Sequence, residues 1–194
     1  RSPYGAAKAA VEAMATSYWH SYGLETVCLR FTNVYGPWSG QNGSAVGSMI
    51  QTVQAGEPIT VDGDGSQTRD FIHVTDVCRA INAALGAPAI SGRYLNIGTG
   101  IQTSINELIA TIQLSHGDGE IKLVAGQARP IEQQGLAVVP AAATAAMGWK
   151  ATTSLQDGVQ QLYRWFQDNT GTEPDAAHTT PLRLVSVVQL AAGS

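Results

Sequence analysis

The sequence predicts an α/β fold, and three observations predict it. Short runs of β-forming residues alternate with longer runs of helical periodicity, capping residues open most of the helical runs, and Gly or Pro punctuates the joints. Ser2-Pro3 reads as a cap followed by proline at the first helical position. From Tyr4 to Tyr22, Ala7, Val11, Met14/Ala15 and Tyr18 recur at helical spacing, and Gly23 ends the run. "TVCLRF" (26–31) is a strand, and "NVYGPWSGQNG" (33–43) reads as a loop rich in turn residues. A helix spans 44–55 and stops at Gly56. "PITV" (58–61) and "TRDFIHV" (68–74) are strands joined by the turn "DGDG" (62–65).

Thr75 caps a helix through Leu85, and "RYLNI" (93–97) is a strand ending in the turn "GTG". Ser104 and Glu107 form a capping box for a helix to Leu114. "IKLV" (121–124) is a short strand, 141–147 an alanine-rich helix, and Ser154 with Asp157 opens an amphipathic helix to Phe166. The character changes at Thr170. "TGTEPDAAHTT" is linker-like, and "LRLVSVVQL" (182–190) is an apolar run, either an extension without a role or a strand that patches a sheet edge. The chain therefore divides into residues 1–169, with the α/β pattern, and a tail, 170–194.

With 194 residues and 44% hydrophobic content the chain can build one core of ordinary size. Charged residues make up only 13%, the net charge is −4, and no basic block occurs, which argues against nucleic acid and membrane surfaces as partners. No run of eighteen apolar residues is present. Cys28 and Cys78 each lie in an apolar segment and are expected to be buried thiols of a reducing, cytoplasmic compartment. His20, His73, His116 and His178 are scattered without ligand spacing, so no metal site is expected.

Tyr4 and Lys8 carry the first chemical signal. Residues four apart share one helix face, and an ammonium near a phenol favours the phenolate. Such a pair can serve as general base, or as general acid in reverse. It is also a common arrangement on a solvated helix face, and alone it decides nothing.

The phrases that follow change the weight. "SPYGAAKAAVE", "GLETVCLRFTNVYGP", "GEPITVDGDGSQTRDFIHVTDV", "YLNIGTG", "ARPIE" and "MGWKATTSLQDGV" occur in this order. Together they resemble the extended short-chain dehydrogenases/reductases, specifically the NAD-dependent nucleotide-sugar epimerases and dehydratases, from Ser2 to about Asn169. The resemblance implies the carboxy-terminal part of a Rossmann-like doubly wound sheet, interleaved with a small substrate-binding domain. It implies that Tyr4 exchanges a proton with a sugar hydroxyl while NAD takes the hydride. Lys8 would hold the nicotinamide ribose, and Phe31 would stand on the cofactor side. Asn33, the helix start Ser44–Ala45–Val46, Arg69 and Arg129 would face the substrate diphosphate, with Glu132 near the nucleotide ribose. Guanidinium forks suit phosphate oxygens, and a helix start offers N–H groups to an anion. His73 reads as a packed or hydrogen-bonded residue, Asp70 as an organiser of its strand, and Trp19, Trp149, Tyr163 and Trp165 as core or interface aromatics.

The resemblance also implies features this sequence does not display. The family binds NAD on an amino-terminal unit with a glycine-rich turn, and no such unit precedes Tyr4. "NIGTG" (96–100) lacks the third glycine, with Thr103 in its place, and is rejected as a dinucleotide site. An aspartate usual before "LGW" is absent, so the last helix is expected to be poorly anchored. The expectation is the carboxy-terminal part of a UDP-sugar 4-epimerase, inactive without an NAD-binding half and present as a homodimer or paired with that half. A 4,6-dehydratase part, a non-catalytic nucleotide-sugar-binding or self-associating module, and a degenerate product that binds nothing remain open.

Overall fold

The computed structural model describes residues 3–39, 44–127, 135, 137–169 and 187–189. In chain order the elements are α1 (Pro3–Tyr22), β1 (Val27–Phe31), β2 (Asn33–Tyr35), α2 (Ala45–Gln54), β3 (Ile59–Val61), β4 (Thr68–Arg69) and β5 (Phe71–His73). They continue as α3 (Val74–Gly86), β6 (Arg93–Ile97), β7 (Thr103–Ser104), α4 (Ile105–His116), β8 (Leu123–Ala125), α5 (Ala141–Met147), α6 (Leu155–Asp168) and β9 (Val187–Gln189). β6, β1 and β9 form a parallel sheet in that order, and β2–β5 and β3–β8 are further parallel pairs. β4–β7 is antiparallel.

Parallel strands need both faces covered, and β1 shows how this is met. Leu29 and Phe31 point into one core with Ile72, Ala80, Leu95, Ile97, Ala143 and Trp149, under α3 and α5. On the other face Arg30 forms a bidentate pair with Glu12 of α1 (2.7 and 2.6 Å) and lies over the Tyr94 ring, 4.9 Å from its centroid. Thr26 donates to the Ala15 carbonyl at 2.9 Å. A second core joins α2, α4 and α6 around Tyr35, Ile50, Phe71, Leu108, Ile112, Val159 and Leu162.

Four local expectations are corrected. "NVY" is a strand, because Asn33, Val34 and Tyr35 pair with Phe71, Ile72 and His73. The single strand at 68–74 is two, divided at the buried Asp70, whose flanks pair with different partners. α3 is capped by His73, whose Nδ1 accepts from the Thr75 N–H, and not by Thr75. Cys78 is exposed on the outer side of α3, while Cys28 is buried. The last helix is also well anchored: Val159, Leu162 and Phe166 of α6 are buried, and the preceding loop is tied down by Asp76. That carboxylate accepts from the N–H groups of Thr152 (3.2 Å) and Thr153 (3.0 Å) and pairs with Arg79, while its carbonyl accepts from the Trp149 indole at 3.0 Å.

Asp76→Ala takes the acceptor from the Thr152 and Thr153 N–H groups and from the exposed Arg79. It should lower the unfolding free energy by about 2 kcal/mol in urea melts, with Asp76→Asn losing less. His73 predicts a pH dependence. Its Nδ1 is an acceptor, so Nε2 carries the proton, and this buried N–H has no partner among the described residues. Burial holds the imidazole below its ordinary range. The unfolded chain takes up the proton near pH 6.5 and the folded chain only lower, so stability is full above about pH 6.5 and falls as the pH drops. His73→Asn, itself a good cap, should flatten the slope of urea midpoint against pH between about 7 and 5.

Candidate active site

α1 runs opposite to β1, and three contacts fix the register: Ala15 lies at Thr26, Thr16 bonds the Tyr94 hydroxyl, and Glu12 lies at Arg30. Lys8 and Tyr4 are one and two turns further toward the start of α1, roughly 6 and 12 Å beyond Glu12. Three residues of strand from Arg30 to Asn33 advance roughly 10 Å the same way. The Tyr4 side of α1 is therefore level with the carboxyl end of β1 and the start of β2, where α/β sheets bind their ligands. The Lys8 Nζ lies 5.3 Å from the centroid of the Tyr4 ring, and Tyr4 is 40% exposed. The helical spacing thus brings phenol and ammonium together at an accessible position.

A second phenol marks the contrast. Tyr35 is 1% exposed, and burial, with Asp157 nearby, pushes its ionisation far above the ordinary range. It is a neutral core residue whose hydroxyl lies against Gly158 of α6. The Cys28 thiol is likewise pushed up, chiefly by burial and then by Glu12.

Phe31 is buried at the end of β1 with its side chain in the core, so only its backbone and edge border the ligand side. Asn33 is held twice by Asp70, the residue before β5: its N–H and its side-chain amide both donate to that carbonyl, at 3.0 and 3.1 Å. Arg69 stands beside this anchor on β4, with Nη1 donating to the Thr68 carbonyl at 2.8 Å. Asn33 thus bonds the carbonyl of the residue that follows Arg69, where β4 gives way to β5. Ser44 caps α2 without a side-chain hydrogen bond, Ala45 is exposed, and Val46 is a core residue that can offer only its backbone. The Ser44 N–H donates to the Ser39 carbonyl at 3.4 Å, joining the start of α2 to the loop after β2. Arg129 and Glu132 lie outside the described residues.

Asp70 contributes more than strand order. Its Oδ1 accepts from the Thr99 N–H (3.0 Å) and hydroxyl (2.7 Å), and its Oδ2 from the Gly100 N–H (2.9 Å) and Val138 N–H (3.4 Å). The "GTG" turn thus aims its N–H groups at an internal carboxylate, which gives the rejection of "NIGTG" as a dinucleotide site a physical basis. A Cβ at Gly98 would collide with Asp70, Thr32 and Val138.

Sequence reasoning missed Trp38. The Ser39 N–H bonds the Gly36 carbonyl at 3.1 Å, closing a turn in which Trp38 takes φ 70°, a value usual for glycine. Its ring meets Trp165 edge-on at 5.0 Å and remains half exposed. "GPW" was a turn signal, but the aromatic partner is far away in sequence. A cleft of about 340 Å³ lined by Gln54, Glu57, His116 and Lys122 includes none of the candidate residues. Among the described residues no group of three or more His, Cys, Asp or Glu could hold a metal, and no helix is long and apolar enough to cross a membrane.

Comparison with known proteins identifies the family. The family model for the NAD dependent epimerase/dehydratase family matches residues 1–98. A putative UDP-glucose 4-epimerase of Methanocaldococcus jannaschii is 32% identical over 184 residues, 88% of this chain and 55% of that protein. A dTDP-glucose 4,6-dehydratase of Xanthomonas campestris is 28% identical over 177 residues, covering 87% and 50%. The crystal structure of a UDP-glucuronic acid 4-epimerase from Bacillus cereus, in complex with UDP-glucuronic acid and NAD, superposes with a TM-score of 0.79 at 29% identity, over 86% of this chain and 53% of that one. The chain spans about half the length of the curated relatives it matches. Its α/β elements are those of the Rossmann-like epimerase and dehydratase structures, and the chain belongs to the NAD-dependent epimerase/dehydratase family.

Proposed function

We propose that this chain is the carboxy-terminal part of a nucleotide-sugar 4-epimerase, with Tyr4 and Lys8 as its acid–base pair. The observation that carries the reading is the place of the pair: accessible, and level with the carboxyl end of β1 and the start of β2. Tyr4, as phenolate, takes the proton of the sugar 4-hydroxyl. Lys8 supports the negative oxygen electrostatically and, with Tyr4, is suited to hold the ribose at the nicotinamide end of NAD. Bound there, NAD supplies the hydride acceptor at sugar C4. Asn33, Arg69 and the start of α2 (Ser44, Ala45, Val46) face the substrate diphosphate, with Arg129 and Glu132 assigned to the nucleotide by sequence. Tyr4 would hold that proton and return it to the same sugar oxygen once the sugar has presented its other face.

The residues at hand fit one end of NAD only. The glycine-containing turn that could receive a pyrophosphate is occupied by Asp70, so the rest of the dinucleotide needs a cradle outside the described residues. Turnover is accordingly assigned to the chain acting together with an NAD-binding half. A 4,6-dehydratase is the second reading, favoured by the similarity to the Xanthomonas campestris dehydratase. Both reactions begin with oxidation at C4, so they separate on product: a C4 epimer or a 4-keto-6-deoxy sugar.

Titration calorimetry with UDP-glucose tests the substrate side on this chain. Binding is expected, and Arg69→Ala should weaken it about tenfold or more. Absence of binding by the unaltered chain would exclude the nucleotide-sugar reading. In the polypeptide extended upstream to the length of its relatives, Tyr4→Phe should cut kcat by about a hundredfold or more while UDP-glucose affinity stays within about twofold. Equal turnover by both proteins would remove Tyr4 from the chemistry.

A further inference from the structure

In the loop after β2, Trp38 takes φ 70°, a conformation that strains a side chain and suits glycine. A strained residue of this size, where glycine would sit easily, points to a use for its ring. The loop is clamped on either side of it. Gly36 takes φ 140° and lies so close to the β5–α3 junction that a Cβ there would stand 2.5 Å from Val74 Cγ1 and 3.2 Å from His73 Nε2. Its N–H donates to the Ser39 hydroxyl at 3.3 Å, and its carbonyl takes the Ser39 N–H. The Ser39 carbonyl in turn accepts from the N–H of Ser44, the residue that opens α2.

The Trp38 ring leads the other way, to α6. It meets Trp165 edge-on with 5.0 Å between centroids, and Trp165 meets the buried Phe166 in the same manner at 5.2 Å. α6 also holds the far end of α2, because the Gln54 side-chain amide donates to the Tyr163 carbonyl at 3.0 Å. Both ends of α2 are thus referred to one helix, with Val46, Gly47, Ile50 and Val53 buried between the two ties. Ser44 opens α2 without using its hydroxyl as a cap, so the first N–H groups of the helix take no bond from that side chain. Their direction follows from how the helix is seated, and a donor displaced by about 1 Å loses much of its hold on a phosphate oxygen.

We propose that Trp38 is the positioning residue for the start of α2, seating it against α6 so that its N–H groups meet the substrate diphosphate. The inference rests on the reading of this site as a nucleotide-sugar site, and adds to it a residue that acts through Trp165 without touching the ligand.

Titration calorimetry with UDP and with UDP-glucose on the full chain tests it. Both ligands present the diphosphate, so W38G should weaken both by the same factor, about fivefold or more. W38F keeps an aromatic edge against Trp165 and should bind both within about twofold of the unaltered chain. W165L should repeat the W38G loss, and the joint variant should be no weaker than W38G alone. One readout needs no variant to stay bound or stable: with 5-fluorotryptophan in place of the four tryptophans, UDP should shift the fluorine resonances of Trp38 and Trp165. The resonance of Trp19, which lies against Gly92, should stay in place. Failure of the unaltered chain to bind either ligand would overturn the nucleotide-sugar reading, and the proposal with it. Binding by the unaltered chain together with an unweakened W38G, a loss confined to UDP-glucose, a W38F chain as weak as W38G, additive losses in the joint variant, or unmoved Trp38 and Trp165 resonances would each overturn the proposal and leave that reading standing.

Discussion

The junction at Asp70 holds the rest together. A carboxylate with no exposure to water is costly unless its lone pairs are met, and here they are met by the Thr99 hydroxyl and by N–H groups of Thr99, Gly100 and Val138. The same residue's carbonyl takes both donors of Asn33. One residue therefore fixes the turn after β6, the approach to α5, the start of β2 and the break between β4 and β5. Those pieces bring Asn33 to the carbonyl of the residue next to Arg69. Had the carboxylate been absent, the donors of the "GTG" turn would have been available to an outside anion. The internal charge decides that they are not.

Much of this was legible in the sequence, for reasons that can be stated locally. α4 carries its own start signal, and the Ser104–Glu107 capping box forms as written. α1, β1 and β6 fall within a residue or so of their expected bounds because periodicity and glycine stops are local properties. β2 was hidden because three residues, "NVY", become a strand only by pairing with β5, far along the chain. The split at Asp70 was hidden likewise: β-forming residues stand on both sides of it, and only the change of pairing partner at the buried carboxylate shows the break. The exposed Cys78 shows the limit of reading burial from apolar neighbours, since a helix turns one residue in every few toward water.

The tail illustrates a different limit. The apolar character of 182–190 was plain, and so was the alternative that it closes an edge. Which edge could not be read, because parallel pairing has no short-range signature and the partner strand lies at the opposite end of the sequence. The residues on one side of β1 are satisfied by the polar bridge of Glu12 and Arg30, and those on the other by the apolar core. Neither face needs the tail, so its contribution is to the backbone edge and to α1.

The two tyrosines show why burial, more than residue type, decides which phenol can do acid–base work. Tyr35 stands one strand away from the candidate site, yet with 1% exposure and Asp157 nearby its anion would be unpaired in an apolar wall. Its value lies in shape: its ring meets His73 edge-on at 5.3 Å and its hydroxyl touches Gly158, so it ties β5 to α6. Tyr4 has the opposite circumstances, with water on one side and an ammonium over its ring on the other. A helix start is where such a group can stay accessible while its backbone is fixed, because the next turns of α1 are pinned at Glu12, Ala15 and Thr16. In the proposed role, the rigidity needed for proton transfer thus comes from contacts two and three turns away, and access to a substrate from the partial exposure of Tyr4. Substitutions at Glu12 or Arg30 would therefore act on the site through the tilt of α1, without touching anything that reacts.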